Sequence, residues 1–149
     1  MATDVNRTAD PSVTATFSAY LAAFNAGDAD AVASLYAERT EFHNPFSARP
    51  LSTRDEVRAF VAPMFRAYTG LHAVAEAPIC DGRRLATRLT ITGTHSGDLS
   101  GPKGVVAATG RPVTLRTAEF VEVDGRGLIV RHERLFDSAA IFEQLDGTA

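Results

Sequence analysis

The stretch VTLRTAEFVEVDGRGLIVRHERLF, residues 113–136, decides the fold. Two runs rich in β-branched residues flank the turn cluster DGRG, and this pattern predicts one long antiparallel hairpin. If Val123 pairs with Leu128 across the turn, Glu119 lies directly opposite His132. The hairpin therefore predicts a contact between a carboxylate and an imidazole on one face of a sheet.

That face combines charged groups with aliphatic ones. Side chains alternate along a strand, so Glu119, His132 and Arg134 share a face. Branched aliphatic residues, Val121 among them, and Phe136 lie on the same face. Burial and mutual contact perturb the protonation of such groups, and in a pocket they are functional candidates. The alternatives are an ion pair satisfied at the rim of a core and a register slip that turns all three outward.

Length and composition indicate one globular domain. The chain has 149 residues, of which 45% are apolar and 22% charged, so it can bury about two thirds of its unfolded surface. We expect a flexible segment at 1–9 and a single domain at 10–149. A net charge of -3 and the lack of basic clusters argue against nucleic acid or an anionic membrane as partner. The opening residues have no apolar signal core, so a cytoplasmic protein is expected.

The sequence predicts neither a metal nor an organic cofactor. Cys80 is the only cysteine, which excludes an internal disulfide and metal sites built on paired thiolates. The histidines show no ligand spacing, and no glycine-rich phosphate-binding loop is present. Lys103 is the only lysine, a bias towards arginine that is typical of a GC-rich bacterial genome.

The first part of the chain reads as helices. Apolar residues recur at helical spacing from Asp10, a candidate cap, until Gly27 ends the helix. Tyr20 is on the apolar side, either as a core residue with a bonded hydroxyl or as a donor positioned in a cavity. A second helix begins at Asp28, and a strand over 40–44 places Phe42 and Asn44 on one face. Thr53 and Glu56 then form a capping box that opens a third helix. Pro63 should bend or divide this helix.

Strands dominate the second part. Residues 71–80 and 84–94 are predicted strands around a turn, followed by the hairpin at 113–136. The Gly-rich segment 95–111 is either a mobile lid or, as we prefer, an exposed hairpin extension. A short terminal helix begins at 137 or 138. The order predicts an α+β fold: a cone-shaped α+β barrel in which helices pack on a curved, mainly antiparallel sheet that encloses a pocket.

Several segments carry a resemblance to a known superfamily. The run AYLAAFNAGDADAVASLYAERTEFHNP resembles the first helices and strand of steroid delta-isomerases, and AEFVEVDGRGLIVRHERLFDSAAI is similar to their final hairpin. The segments TGTHSGDLSG, ATGRPV and FDSAAIFEQL look more like SnoaL-like polyketide cyclases. The chain is therefore identified as resembling nuclear transport factor 2-like proteins, a superfamily that includes both groups. The resemblance covers nearly the whole chain and is specific for fold, less for substrate.

The isomerase resemblance implies roles for three residues. Tyr20 matches a tyrosine and Glu119 a protonated aspartate that together form the oxyanion hole of those enzymes. Asn44 stands where the isomerases carry their aspartate base. An amide cannot accept a proton at neutral pH, so the resemblance does not extend to steroid isomerisation itself.

Two other relatives imply different chemistry. In limonene epoxide hydrolases an asparagine at the position of Asn44 helps hold the attacking water, but their acid/base arginine and aspartates fall on Arg88, Thr90 and Arg134, where only the arginine is kept. In the cyclases the acid/base aspartate matches Asp137. A helix cap is the alternative role for Asp137, and we favour it slightly.

Together these observations predict an acid/base enzyme for a small apolar or polycyclic carbonyl compound, either a polyketide cyclase or an isomerase. Proton transfer is assigned to Glu119 with His132 or Asp137, and oxyanion or water binding to Tyr20 and Asn44. The remaining predicted substrate contacts are Phe42, Arg88, Val121, Arg134 and Phe136. The alternatives are an epoxide-hydrolase-like enzyme and a non-catalytic module for ligand binding or dimerisation.

Sheets of this type commonly pair in dimers, so a homodimer is expected. Residues predicted on the outer strand faces supply the apolar surface for it: Leu89, Ile91, Phe120 and Ile129.

Overall fold

The structure, a computed structural model, describes residues 11–101 and 103–146. The expectations for residues 1–9 and for Asp10 as a cap lie outside these ranges. No helix within them is both long and apolar enough to cross a membrane. In chain order the elements are α1 (Pro11–Asn25), α2 (Ala29–Ser34), β1 (Arg39–His43), β2 (Leu51–Thr53), α3 (Arg54–Ala67), β3 (Tyr68–Ala75), β4 (Ile79–Asp81), β5 (Arg84–His95), β6 (Leu99–Gly101), β7 (Gly104–Val106), β8 (Pro112–Val123), β9 (Ile129–Leu135) and α4 (Ser138–Asp146).

The main sheet has the strand order β2-β1-β9-β8-β5-β3, with β4 paired to the other end of β5. Only β1 and β9 run parallel, and the other pairs are antiparallel. Helix α1 packs on β3, β5 and β8, while α3 contacts α2 and β3. The predicted α+β class is confirmed: helices cover one face of a mainly antiparallel sheet. The sheet does not close on itself, so the cone stays open.

Helix α1 forms because its apolar residues recur every three or four positions and meet the sheet. Val13, Phe17, Tyr20 and Phe24 are all buried in the main core. The chain leaves the helix at Gly27, whose φ of 64° is a left-handed conformation that glycine adopts without a steric penalty. Asp28 then caps α2 by accepting the Ala31 N–H at 2.9 Å. Both predicted helices are confirmed.

The predicted hairpin is present, but its predicted register is wrong. Glu119 lies opposite Arg134, and Val121 lies opposite His132. The Asp124 carboxylate accepts the N–H groups of Arg126 and Leu128, which lengthens the loop so that pairing starts between Val123 and Ile129. A bulge next to that pair adds one more residue to β9. Because the total shift is two residues, the inward and outward faces are preserved.

The predicted dimer surface needs correction. Leu89, Ile91 and Ile129 are 1%, 5% and 0% exposed, so they belong to the core, and only Phe120 lies on the outer face at 48% exposure. Leu89 pairs with Thr117, which places it on the inner face of the sheet. Ile129 turns inward because the bulge interrupts the alternation of β9.

Other segments follow the prediction with smaller changes. Thr53 caps α3 through the Glu56 N–H, and the helix runs to Ala67 with Pro63 inside it, so the proline does not divide it. The predicted strand at 71–80 is two strands, β3 and β4. The segment 95–111 contains a two-stranded hairpin, β6 and β7, as preferred.

Candidate active site

A buried polar network joins three elements around the β8–β9 pair. The Nε of Arg134 donates to both carboxylate oxygens of Glu119 at 2.9 Å. The Nη2 of Arg134 lies 2.8 Å from Glu119 Oε1 and donates to the Tyr20 hydroxyl at 2.8 Å. His132 Nε2 lies 2.9 Å from Glu119 Oε1, and His132 Nδ1 lies 2.6 Å from the Tyr36 hydroxyl. None of these five residues is more than 4% exposed.

Strand register and aromatic packing hold these groups in place. Glu119 faces Arg134 directly across the two strands and reaches His132 diagonally. The Phe42 ring stacks on His132 with 4.3 Å between ring centroids and an interplanar angle of 7°. The Arg134 guanidinium carbon lies 5.9 Å from the ring centroids of both Phe24 and Phe42. The predicted meeting of carboxylate, imidazole and guanidinium is therefore present, although the register that predicted it was wrong.

Charge within the network is settled by the ion pair. Burial alone would raise the pKa of Glu119, but the Arg134 guanidinium and the His132 hydrogen bond outweigh it and lower that pKa to about 2. Burial would lower the pKa of Arg134, yet Glu119 raises it above its usual range. Burial lowers the pKa of His132, against the opposing effect of Glu119. At neutral pH the network thus holds a carboxylate, a guanidinium and a neutral imidazole.

These charge states fix the direction of each hydrogen bond. A carboxylate only accepts, so we assign the imidazole proton of His132 to Nε2. Nδ1 then accepts the Tyr36 O–H. The Tyr20 hydroxyl oxygen accepts from Arg134 Nη2. Burial raises the pKa of both tyrosines, which keeps the hydroxyls protonated. The five side chains thus form one continuous chain of hydrogen bonds, from Tyr20 through Arg134, Glu119 and His132 to Tyr36.

A cavity of about 280 Å³ lies beside this network. Most of its lining is apolar, and its polar lining residues are Asn44, Tyr68, Ser100 and Arg134. Arg134 uses Nε and Nη2 within the network, whereas its Nη1 makes no hydrogen bond with any described residue. The guanidinium therefore presents one free donor nitrogen to a mostly apolar space.

The predicted site residues fall into three groups. The cavity is lined by Asn44, Arg134 and Phe136. The buried layer behind Arg134 contains Tyr20, Phe42, Glu119 and His132, none of which lines the cavity. The remaining three predicted residues lie away from the cavity: Arg88, Val121 and Asp137.

The last group has identifiable structural roles. Arg88 is on the outer face of the sheet, where its Nη2 lies 2.8 Å from Glu76 and its side chain is 75% exposed. Val121 is buried in the main hydrophobic core and does not line the cavity. The Asp137 carboxylate is exposed and accepts the Ala139 N–H at 3.0 Å, which is the capping role that we favoured. The expectation that Arg88 contacts the ligand in this cavity is therefore wrong.

Asn44 lines the cavity and also shapes the loop after β1. Its side-chain oxygen accepts the Phe46 N–H at 2.9 Å, and its Nδ2 donates to Ser47 at 3.2 Å. One N–H of the amide remains for a ligand. Asn44 thus combines a structural turn with one polar contact to the cavity.

Sequence reasoning missed two tyrosines. Tyr36 follows α2, where it completes the network through His132, and its helical spacing predicted only a core residue. Tyr68 begins β3 and lines the cavity. The available signal for Tyr68 was its position directly after helix α3. The alternation of side chains along a strand does not by itself predict that a residue at such a junction lines a cavity.

No cluster of three His, Cys, Asp or Glu side chains suited to a metal ion occurs among residues 11–101 and 103–146.

The ion pair predicts a specific stability effect. Glu119→Gln leaves the Arg134 charge buried without a partner, so we expect the free energy of unfolding to fall by about 3–5 kcal/mol. Glu76→Gln is the matched control, because it breaks the exposed pair with Arg88 and should change stability far less. Chemical denaturation at pH 7 measures both variants. Equal losses would contradict the assignment of Glu119 as the buried anchor.

Stability should also fall in two steps as the pH decreases. Below about 6.5 the unfolded chain protonates His132 while the folded chain, whose His132 pKa is lowered, does not. The pKa of Glu119 is lowered from 4.5 to about 2 in the folded chain, so its contribution to stability is complete above about pH 4.5 and is lost as the pH falls from about 4.5 to 2. His132→Gln should remove the first step, and His72→Gln, at an exposed position, should retain it. Denaturation curves from pH 8 to pH 3 test this, and a first step that survives in His132→Gln would refute it.

Comparison with known proteins places this geometry in a family. The model of the SnoaL-like domain family matches residues 17–132. Among curated proteins, none gives a significant match. Several hundred solved structures are also similar to this chain.

Three of these structures illustrate the range. IdmH from Streptomyces antibioticus, a proposed polyketide cyclase, is 26% identical with a TM-score of 0.72, and the alignment covers 90% of this chain and 98% of IdmH. A protein from Catenulispora acidiphila with a ketosteroid isomerase-like fold is 14% identical with a TM-score of 0.72, covering 88% and 92%. An epoxide hydrolase of the LEH-like type from M. tuberculosis is 17% identical with a TM-score of 0.68, covering 92% and 91%.

The last two similarities, at low identity, show the fold alone. The family model spans most of the chain. The chain therefore belongs to the SnoaL-like domain family, within the nuclear transport factor 2-like superfamily.

Proposed function

We propose that this protein is an enzyme of the cyclase or isomerase type that stabilises the enolate or alkoxide oxygen of a largely apolar carbonyl compound. The observation that carries the proposal is the free Nη1 of Arg134 at the wall of an apolar cavity. Cyclisation by carbon–carbon bond formation and double-bond isomerisation both pass through an enolate or alkoxide oxygen. A fixed donor beside that oxygen serves either reaction.

The buried network prepares Arg134 for this role. Glu119 and Tyr20 bind two nitrogens of the guanidinium and orient the third towards the cavity. Little reorganisation is needed when negative charge develops on the ligand, because the donor is already in place. The apolar lining excludes water and strengthens the interaction. Tyr20, Glu119 and His132 thus act as positioning residues, a change from the direct proton transfer that the sequence suggested.

The proposed substrate class follows from the cavity and from the relatives. A lining that is mostly apolar, with Phe46, Phe60 and Phe136 among its residues, suits a flat or polycyclic compound. IdmH is described as a proposed polyketide cyclase. Poly-carbonyl compounds that cyclise are readily enolised, which fits a site built around one oxyanion donor.

A non-catalytic ligand-binding protein is the second candidate. It is favoured by the fact that no carboxylate or imidazole among the described residues lines the cavity. The two candidates differ in one measurement, the conversion of a bound carbonyl compound. Catalysis predicts turnover that Glu119→Gln reduces, whereas a binding protein returns every bound ligand unchanged.

Binding of phenols should report the oxyanion donor. Naphthols of graded acidity are expected to bind as phenolates, so their ultraviolet spectra shift at a pH below their solution pKa. Arg134→Met alone leaves Glu119 uncompensated, so the sharper variant is the double change Glu119→Gln with Arg134→Met. We expect this variant to fold and to lose the spectral shift.

The matched control is Arg88→Met with Glu76→Gln, which removes an exposed ion pair on the outer face. It should retain the shift. Phenolate binding that is equal in wild type and in the Glu119/Arg134 variant would contradict the proposal.

We also propose a homodimer formed by the outer face of the sheet. Ile79 and Phe120 are 77% and 48% exposed. Ile79 on β4 and Phe120 on β8 both pair with Ala86 on β5, so the three residues form one row across the sheet. A shallow groove beside them carries both charge signs, with Arg84 and Arg131 near Glu122 and Glu133. A two-fold axis through this face would place acidic groups of one copy against basic groups of the other.

Phe120→Asp should therefore dissociate the dimer. A buried carboxylate at the centre of the interface has no partner and costs several kcal/mol. Val105→Asp is the control, because Val105 is 68% exposed on the separate β6–β7 hairpin. Sedimentation velocity should show a dimer for wild type and Val105→Asp, and a monomer for Phe120→Asp. A monomeric wild type would refute the dimer.

A further inference from the structure

The end of the cavity near the β6–β7 hairpin contains polar groups that the network does not use. Tyr68 lines the cavity, and its hydroxyl makes no hydrogen bond with a described residue. Ser100, on β6, lines the same end. Burial raises the pKa of Tyr68, so its hydroxyl remains a donor at neutral pH. This end of the cavity therefore has a tyrosine and a serine in its lining, beside a middle part that is apolar.

This end is built rigidly. The N–H groups of Ser96 and Gly97 both donate to the Ala67 carbonyl, directly before Tyr68. The hydroxyls of Thr69 and Ser96 are hydrogen-bonded to each other. A Cβ on Gly97 would lie 2.4 Å from the Arg66 carbonyl oxygen, which shows how closely the two segments approach. The position of Tyr68 is therefore set by the backbone around it.

A second observation points to a missing acceptor at this end. His95 pairs with Tyr68 across β3 and β5, and their ring centroids are 5.7 Å apart. His95 Nδ1 accepts the Thr109 N–H at 3.2 Å, so in the neutral ring the proton is on Nε2. This Nε2 is buried and has no partner among the described residues. A buried donor without an acceptor is costly, so polar bonding is incomplete next to Tyr68, although His95 itself does not line the cavity.

The two polar ends are far apart in the sheet. Arg134 is level with Glu119 and Thr87, near the start of β5. Tyr68 is level with His95, the last residue of β5. The apolar part of the cavity lies between them, with Ile91 and Leu115 on its floor. A ligand that reaches both ends must therefore be elongated.

We propose that the cavity recognises an elongated, largely apolar ligand at both ends: an anionic or enolisable oxygen at Arg134, and a hydroxyl or carbonyl oxygen at Tyr68 and Ser100. This rests on the proposed function, because it assumes that Arg134 Nη1 binds the first oxygen. It adds a specificity element at the opposite end. Ligands that lack the second oxygen leave the Tyr68 hydroxyl unpaired and bind less tightly.

Three pairs of aromatic acids of increasing length test the proposal. Each pair compares a parent carboxylate with the same acid carrying a hydroxyl at the far end: benzoate and para-hydroxybenzoate, 2-naphthoate and 6-hydroxy-2-naphthoate, biphenyl-carboxylate and hydroxybiphenyl-carboxylate. Calorimetric titration gives the dissociation constants. At the length that spans the cavity, the hydroxyl should tighten binding to wild type by about 3- to 10-fold.

Tyr68→Phe should abolish this gain while binding the parent acids as wild type does. Thr92→Val, which removes a hydroxyl from the outer face, should keep the gain. If the parent acids bind but the hydroxyl adds nothing at any length, the recognition at Tyr68 is refuted and the role of Arg134 stands. If no parent acid binds at all, both proposals fail.

Discussion

The buried ion pair between Glu119 and Arg134 is the interaction on which the site depends. It lies at the centre of the sheet, where two charges are tolerated only because they satisfy each other and their neighbours. Tyr20 accepts a hydrogen bond from Arg134 Nη2, and His132 donates one to Glu119. Each charge is therefore fixed in one orientation, and that orientation leaves a single guanidinium nitrogen for the cavity.

This arrangement separates support from contact. The carboxylate and the imidazole, which sequence reasoning placed in direct contact with a substrate, form a layer behind the arginine. This layer fixes the orientation of the Arg134 guanidinium and keeps its positive charge next to the negative charge of Glu119. A cavity wall then needs few polar groups of its own. The same division lets a largely apolar cavity have a charged group at its wall, because the side chains that satisfy this charge lie behind it.

The faces of the central hairpin could be predicted because alternation depends only on local geometry. Glu119, His132 and Arg134 were therefore assigned to the interior correctly. The register could not be predicted, since it depends on the Asp124 side chain in the turn and on the bulge beside Ile129. Neither feature has a clear signal in the order of apolar residues.

Sequence reasoning also assigned the side chains of β5 to the wrong faces of the sheet, for a related reason. Its partner strand decides which face Leu89 occupies, and that pairing is a long-range property. Arg88 consequently lies outside and Leu89 inside, the reverse of what the site prediction assumed. Tyr68 was missed because its role follows from the junction of α3 with β3 rather than from any motif.

The central claim is that His132 is neutral and carries its proton on Nε2, so that Glu119 remains the ionised partner of Arg134. Side-chain ¹⁵N NMR of the imidazole tests this most directly, because the two nitrogens have different shifts in each tautomer and in the imidazolium ion. The account predicts that the neutral Nε2–H tautomer predominates at pH 6.5, because burial lowers the His132 pKa below the usual imidazole value of about 6.5. A predominant imidazolium at pH 6.5, or a proton on Nδ1, would contradict it.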